Sequence, residues 1–198
     1  HQLTEGLNLH HNHGNRIELV GNPAQPESVI LEFSGTDANV GIGIANGSHL
    51  KLISGLSIVG DNTDTSVALR VHQNSSVDIQ DLIIERWTGI GILAQNNSTV
   101  YGLNGSVEIK NNSSYGVMSR FGSVIRIDDL SLHHNAYGAD TAYTSALHIP
   151  NADIHSHTGY GVSASWNATV TVQGGSSNYN DTNGYQISYG SSANLYLT

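Results

Sequence analysis

A short motif recurs along the last 160 residues of this 198-residue chain, and it limits what the chain can fold into. Each copy has a glycine, apolar residues at alternate positions, a small corner residue and then two further alternating apolar residues. Successive copies are 22–27 residues apart. The corner residues are Ser48, Ser75, Ser98, Ser123, Ser145, Ala168 and Ala193. Because a repeat of this length cannot enclose a core of its own, the period predicts stacked repeats.

Apolar and polar residues alternate on both sides of each corner residue. After Ser48, for example, Leu50 and Leu52 flank a lysine, which is typical of a strand with one buried face. A glycine-led strand precedes the corner, and a third apolar pair, such as Leu56 and Ile58, follows it. The pattern predicts an all-β solenoid of about seven coils of 22–27 residues. Each coil has three short strands that pair in parallel with the next coil, about 4.8 Å away.

The repeats also divide the chain. We interpret residues 39–198 as the coils of a single domain and residues 1–38 as irregular N-terminal cap strands. The chain ends on a strand pattern, without the polar cap that solenoids usually carry. We therefore expect it to be a fragment of a longer chain, or its end to be covered by a partner.

Composition argues against several partners. The net charge is −9, so the surface repels the phosphates of nucleic acids. No apolar run reaches the ~18 residues of a membrane-spanning helix, so we expect no membrane insertion. The chain contains no cysteine, and the pairs His10/His13 and His155/His157 have no carboxylate placed beside them. We interpret these histidines as solvated turn residues and predict neither a metal nor a cofactor.

Three aromatic residues, Phe121, Tyr143 and Trp166, take the same corner position in consecutive copies. If exposed, this row forms a platform on which sugar rings can pack. With Arg120, the three aromatic residues form our candidate carbohydrate-binding set. Alternatively, the aromatic side chains hold the corner under a loop or form a contact between subunits. The equivalent residues in the other copies are Asn46, Gln73, Asn96 and Ser191.

A column of tyrosines precedes the glycine of the later copies: Tyr115, Tyr137, Tyr160 and Tyr185. By strand parity they share the face of Val117, which points inward. We therefore expect buried, stacked rings without a ligand role.

Charged and polar residues form outward columns that could carry catalysis. Arg126 and His148 should lie one coil apart, about 5 Å. A lyase needs a base and a cation, whereas a glycoside hydrolase needs two carboxylates about 5–10 Å apart. Our candidate catalytic residues are Asp140, Arg126 and His148, and a second carboxylate would come from Asp128 or Asp129. The alternative is that these residues only solvate the outside of the coils. The columns comprise Asp78, Tyr101, Arg126 and His148, with Arg70, His72, Arg120 and Asp140 on the neighbouring face.

The coil pattern of residues 39–198 resembles the right-handed, single-stranded parallel β-helix of the pectate-lyase-like superfamily, and residues 5–38 resemble it more loosely. The segment GLNLHHNHGNRIELVGN and the units YGVMSRFGSVIRI and YGVSASWNATVTV are similar to those of bacteriophage tailspikes and related tail appendages. This resemblance implies a trimer of parallel subunits in a virion tail, outside the cell, that contacts a bacterial surface polysaccharide.

Two functions from different classes therefore stand side by side. The first is the β-helical part of a phage tail appendage that binds host surface polysaccharide, with or without cleaving it. The second is a free-standing polysaccharide lyase or glycoside hydrolase of the pectate-lyase-like class. An enzyme would display two acids, or a base with a cation, on one concave face beside a loop. A binding part would display a polar face and contacts between subunits.

Overall fold

A computed structural model of the chain describes residues 2–10, 17–34, 39–63 and 66–196. In these ranges the chain is a parallel β-solenoid of about seven turns, and a single short 3-10 turn at Pro26–Ser28 is its helical content. This confirms the all-β solenoid predicted from the repeats. Within the same ranges, no helix has the length and apolar character that a membrane crossing requires.

The strands belong to two parallel sheets. The large sheet has 12 strands in the order β1-β4-β6-β8-β10-β12-β14-β17-β20, with β3, β15 and β18 attached, and the small sheet has eight in the order β19-β16-β13-β11-β9-β7-β5-β2. The chain therefore moves from one sheet to the other once in each coil and returns. The strands are β1 Gln2–Leu3, β2 Leu7–His10, β3 Glu18–Val20, β4 Ile30–Phe33, β5 Val40–Ala45, β6 His49–Val59, β7 Val67–His72, β8 Ser76–Glu85, β9 Ile90–Gln95, β10 Thr99–Lys110, β11 Tyr115–Arg120, β12 Val124–His133, β13 Tyr137–Ala142, β14 Ala146–His148, β15 Asp153–His155, β16 Val162–Ser165, β17 Thr169–Gln173, β18 Ser176–Asn178, β19 Tyr185–Ile187 and β20 Ser192–Tyr196.

The large sheet contains two of the three strands predicted for each coil. In β6, β8, β10 and β12 the second strand continues into the third, and the register shifts between them, as between Gly102 and Ser106. In later coils the two strands are separate, as β14/β15 and β17/β18. The small sheet is made from the glycine-led strands.

Inward-facing side chains form one apolar core along the axis. On the small sheet, Ile42, Leu69, Ile92 and Val117 follow one another in register and are at most 1% exposed. Each fully buried aliphatic side chain of this kind stabilises the fold by about 1.5–3 kcal/mol. The large sheet faces them with another buried column that includes Leu50, Val77, Val100, Ile125, Leu147 and Val170.

The serine corner confirms that successive coils lie directly above one another. The backbone N–H groups of Ser48, Ser75, Ser98 and Ser123 each donate to the Oγ of the serine one coil later, over 3.0–3.2 Å. These serines are buried. Since a buried N–H must find an acceptor, a small residue with a hydroxyl suits this tight corner.

The last coil has a different register from the one predicted. Backbone pairing sets Ala193 beside Val170, so the residue that follows Ala168 along the axis is Ser191. The N–H of Ala168 donates to Ser191 Oγ over 3.1 Å, which continues the serine corner. The predicted alignment of Ala193 with Ala168 is therefore wrong by two residues. The correct alignment keeps a hydroxyl at the corner and turns Ala193 toward the core.

A second buried corner holds a ladder of side-chain acceptors, which we call the asparagine ladder: Asn112, Asn135, His157 and Asn180. The N–H of Trp87 donates to Asn112 Oδ1, and the N–H of Asn112 donates to Asn135 Oδ1, both over 3.0 Å. The N–H of Asn135 then donates to His157 Nδ1, and that of His157 to Asn180 Oδ1, both over 3.2 Å.

The asparagine ladder explains the glycine near the start of the later strands of the small sheet. A Cβ on Gly116 would lie 3.1 Å from Asn135 Nδ2 and 2.9 Å from the carbonyl oxygen of Gly138. A Cβ on Gly138 would lie 2.8 Å from His157 Nε2. The glycine column is therefore required by close packing at this corner.

The described N-terminal strands continue both sheets. Strand β2 pairs with β5, and β3 and β4 pair with β6, all in parallel. These strands therefore follow the geometry of the coils after them. The predicted boundary after residue 38 stays a prediction, because residues 35–38 lie outside the described residues.

Candidate functional site

The aromatic corner residues stack into a continuous row between the two sheets. The ring centroids of Phe121 and Tyr143 are 4.8 Å apart at an interplanar angle of 9°, and those of Tyr143 and Trp166 are 6.1 Å apart at 11°. The corrected register adds Tyr189, whose ring lies 4.4 Å from Trp166 at 5°. We call these four residues the aromatic ladder. Because offset parallel rings cover part of one another's faces, the ladder presents a wall of ring edges rather than an open platform of ring faces.

The ladder is exposed and has an unfavourable backbone conformation. Phe121, Tyr143 and Trp166 are 40–49% exposed, and Tyr189 is 66% exposed, so their own chain does not seal them. All four have φ between 50° and 57°. Bulky residues rarely adopt this left-handed region, whereas asparagine tolerates it. Earlier coils place Asn46, Gln73 and Asn96 at the same corner, each with φ 58°.

A groove follows the aromatic ladder along the outer face of the small sheet. It encloses a cavity of about 250 Å³. Ladder residues Tyr143, Trp166 and Tyr189 form one wall, and Tyr115 and Tyr160, at the other end of the strands, form the opposite wall. The floor consists of Arg120, Asp140, Ala142, Ser163, Ser165, Gln186 and Ser188.

The floor brings one predicted catalytic residue beside one predicted carbohydrate-binding residue. Arg120 Nη2 lies 3.5 Å from Asp140 Oδ2, and the Asp140 side chain is only 7% exposed. Burial raises the pKa of Asp140, although a hydrogen bond from Ser163 and the charge of Arg120 oppose that rise. The carboxylate and the guanidinium are therefore held in a partly dehydrated setting, where polar contacts with a ligand are strengthened.

The tyrosine column is stacked as predicted, but two of its members face the groove. The ring centroids of Tyr115 and Tyr137 are 4.9 Å apart, those of Tyr137 and Tyr160 are 4.7 Å apart, and the Tyr160 hydroxyl donates to the Tyr115 hydroxyl over 3.3 Å. The inward prediction is wrong for Tyr115 and Tyr160, because the asparagine ladder already fills the adjacent inner corner. Tyr185 does pack against the core, because it pairs with Val162 rather than with Tyr160.

The other two candidate catalytic residues lie on the large sheet. Arg126 and His148 are register partners on adjacent strands, as the predicted one-coil spacing required. Partial burial, and next the charge of Arg126, lower the pKa of His148. Neither residue lines the groove that contains Asp140. The structure therefore brings Asp140 together with Arg120 and separates it from Arg126 and His148.

The expected second carboxylate is also absent from the groove. Asp128 Oδ1 accepts from Arg126 Nε over 3.0 Å, and Asp129 Oδ1 accepts from Asn151 Nδ2 over 3.3 Å. Both acids belong to β12 of the large sheet. Among the described residues that line the groove, Asp140 is the one acid.

The histidines correct another prediction. His157 is 1% exposed and forms a rung of the asparagine ladder, so the solvated-turn interpretation is wrong for it. Burial lowers the pKa of His157 to about 4. The ring of His155 stacks on that of His133 at 5.1 Å, and His13 lies outside the described residues. In the part of the chain that the structure describes, no three His, Cys, Asp or Glu side chains converge to hold a metal ion.

Comparison with known proteins supports the architecture. A family model for the right-handed β-helix region matches residues 67–197. The chain belongs to the right-handed β-helix family. Neither the curated proteins nor the solved structures yielded a match to this β-helix.

Sequence reasoning missed the small polar residues of the groove floor and three aromatic residues of its walls. Tyr189 was overlooked because the last repeat was aligned on Ala193, whereas alignment on Ser191 gives Tyr189 its ladder position. Tyr115 and Tyr160 were assigned to the core by strand parity. Parity fails for them because a residue at the start of a strand, next to a filled corner, can lean over the outer face.

Proposed function

We propose that this β-helix binds polysaccharide in the groove beside the aromatic ladder, as the β-helical part of a bacteriophage tailspike-like appendage that engages host surface glycan. The observation that carries the proposal is the row of four exposed, stacked aromatic side chains along a polar floor. A sugar has apolar C–H faces and polar hydroxyl edges. The apolar ring edges of the ladder offer hydrophobic contact to the C–H faces, and the hydrogen-bonding side chains beside them complement the hydroxyls.

Stability alone does not account for the aromatic ladder. A bulky residue with φ near 55° costs about 1–3 kcal/mol, and an aromatic pair returns about 0.5–1.5 kcal/mol beyond the area that it buries. The chain folds the same corner with Asn46 and Asn96 in other coils, and asparagine tolerates this positive φ at a lower cost. Aromatic residues stand at this exposed corner in place of the better-suited asparagine, which supports a role in binding.

The floor and the tyrosine wall supply the polar contacts. Arg120 donates, the Asp140 carboxylate accepts, and the hydroxyls of Tyr115, Tyr160 and Ser163 can do either. These groups lie along consecutive coils, so a glycan chain parallel to the axis meets them in succession. That arrangement favours an extended polymer over an isolated small molecule.

The tail-appendage part of the proposal rests on the resemblance of the repeat units to those of phage tail proteins. It includes a homotrimer of parallel subunits and a location in the virion tail, outside the host cell. The exposed aromatic ladder is compatible with glycan binding and also with a contact between subunits, since aromatic residues are enriched at interfaces. Light scattering on the purified chain tests the trimer, and a monomer at all concentrations would contradict it.

Cleavage of the glycan is a second candidate, favoured by one observation. Burial raises the pKa of Asp140, as is typical of general acids, and Arg120 lies beside it. A hydrolase would need a second carboxylate, which the described lining of the groove lacks. We therefore place binding ahead of cleavage in the proposal.

Titration calorimetry with a panel of bacterial surface polysaccharides tests the proposal. At least one polymer should bind, and Trp166→Asn, which restores the residue type of earlier coils, should weaken it. Tyr101→Asn removes a similarly exposed aromatic side chain from the large sheet and should leave the affinity unchanged. Equal affinities of all three proteins would overturn the groove assignment. Reducing-sugar release and ultraviolet absorbance of unsaturated ends, followed in parallel, would reveal cleavage.

A further inference from the structure

We infer that the glycan segment held in the groove is uncharged, which rests on the proposed function and narrows it to neutral polysaccharides. Within the described part of the chain, the groove contains one positive and one negative charge. Among its described lining residues, Arg120 is the one cation and Asp140 the one acid. They face each other over 3.5 Å, so the formal charge of the floor sums to zero.

The other polar groups of the groove are neutral. Tyr115 and Tyr160 contribute phenolic hydroxyls, Ser163 and Ser165 contribute aliphatic hydroxyls, and Gln186 contributes an amide. Each of these groups both donates and accepts hydrogen bonds, as a sugar hydroxyl does. A site built to hold a carboxylate or sulfate group would instead present unpaired cations.

The Arg120–Asp140 pair itself suits two neighbouring sugar hydroxyls. Its 3.5 Å separation is longer than the ~2.7–2.9 Å of a tight charge-assisted bond, so both partners retain hydrogen-bonding capacity. Arg120 can donate to one hydroxyl oxygen. The ionised Asp140 carboxylate has no proton to donate, so it can accept from the adjacent hydroxyl. Adjacent hydroxyls on a neutral sugar ring present this combination.

An acidic sugar would meet repulsion at short and long range. Its carboxylate near Arg120 would also lie near the buried Asp140, where poor solvation strengthens the repulsion of like charges. The net charge of −9 disfavours a polyanion before contact. Binding of a neutral polymer carries neither penalty.

The test compares matched polymers that differ only in charge. Each acidic polysaccharide of a panel is measured beside its carboxyl-reduced form, in which the uronates have become neutral sugars. We expect the wild-type protein to bind at least one reduced polymer at least tenfold more tightly than its acidic parent. Equal or tighter binding of the acidic parents would overturn the inference while leaving the proposed function intact. Absence of binding to any polymer, charged or neutral, would overturn the proposed function as well.

Charge variants separate the groove from the protein as a whole. Asp140→Asn leaves Arg120 without its counter-charge and should reduce the preference for neutral polymer at least fivefold. Asp78→Asn changes the net charge equally, on the outer face of the large sheet, and should keep the preference within twofold. Identical preferences in the two variants would contradict the inference. Should Asp140→Asn unfold, Arg120→Gln provides the opposite test, because the remaining carboxylate should widen the preference for neutral polymer.

Discussion

The asparagine ladder and the aromatic ladder of this β-helix both stack one residue per coil, but they differ in burial and in hydrogen bonding. In the asparagine ladder, each side chain accepts a backbone N–H of the preceding coil, and Asn112, Asn135 and His157 are buried. In the aromatic ladder, the side chains are exposed, satisfy no backbone group and occupy a backbone conformation that suits asparagine better. The first ladder is explained by folding, and the second is not. The comparison therefore indicates which column of a repeat protein deserves a functional interpretation.

The largest effect that we expect comes from breaking the asparagine ladder. Asn135→Ala leaves the N–H and the Nδ2 of Asn112, and the carbonyl of Ile109, without their partner. Buried polar groups left unpaired cost about 1–3 kcal/mol each, so the loss of three partners should lower the free energy of unfolding by at least about 3 kcal/mol. Urea unfolding measures the change, and a loss below about 1 kcal/mol would show that the ladder is not structural. The fraction that stays folded should bind glycan as the wild type does.

Acid should weaken the same ladder through His157. The pKa of its imidazole is lowered to about 4 in the fold, from 6.5 in the unfolded chain. The folded state thus disfavours the proton, chiefly because burial penalises the charged imidazolium. The stability that the neutral His157 contributes is fully present above pH 6.5 and is lost as the pH falls toward 4. At pH 4 the loss in free energy of unfolding is about 3 kcal/mol.

The matched variant for this effect is His157→Asn, which replaces the histidine by the residue of the other rungs. Unfolding curves between pH 7 and pH 4 should be flatter for the variant than for the wild type. Parallel curves would mean that His157 does not carry the acid sensitivity.

Substitution in the aromatic ladder should change binding instead of stability. Trp166→Asn removes an exposed indole from the groove wall, and truncation of such an aromatic contact costs about 1.5–2 kcal/mol, or roughly 10- to 30-fold in affinity. Since asparagine suits the positive φ of this corner, the free energy of unfolding should change by less than about 0.5 kcal/mol. A large loss of stability with unchanged affinity would make the aromatic ladder a structural feature like the first.

The smallest effect is expected on the outer face of the large sheet. Arg126→Ala and His148→Ala change residues that lie outside the groove. Exposed ion pairs such as Arg126–Asp128 stabilise a fold by only about 0–1 kcal/mol. Glycan affinity should therefore change by less than about twofold, which is under 0.5 kcal/mol. A tenfold loss in calorimetric titrations would move the site to that sheet and revive the catalytic set predicted from sequence.

The sequence predicted the scaffold well because its signals are local and repeated. Alternating apolar residues and the column from Ser48 to Ala168 placed six successive coils in the correct register. The register predicted for the last coil was wrong because Ala193 and Ser191 both fit a small-residue position, and only strand pairing distinguishes them.

The site was predicted less completely, because it depends on side-chain orientations and strand positions that the alternation of residues along a strand does not give. Phe121, Tyr143 and Trp166 were identified from their shared corner, but their stacking geometry follows from three-dimensional spacing. Asp140 was identified as a candidate catalytic residue from its position in an outward-facing column of charged residues. Its pairing with Arg120 and its separation from Arg126 depend on which sheet each strand joins.

The most direct measurement of the central claim uses the two tryptophans of the chain. Trp166 is 49% exposed in the ladder, whereas Trp87 is 1% exposed and donates its indole N–H to the carbonyl of Ile58. Iodide should therefore quench Trp166 and spare Trp87. If the groove binds polysaccharide, a saturating polymer should abolish most of the iodide quenching, and Trp166→Asn should remove the effect. Quenching that stays unchanged while the polymer is bound would contradict the account.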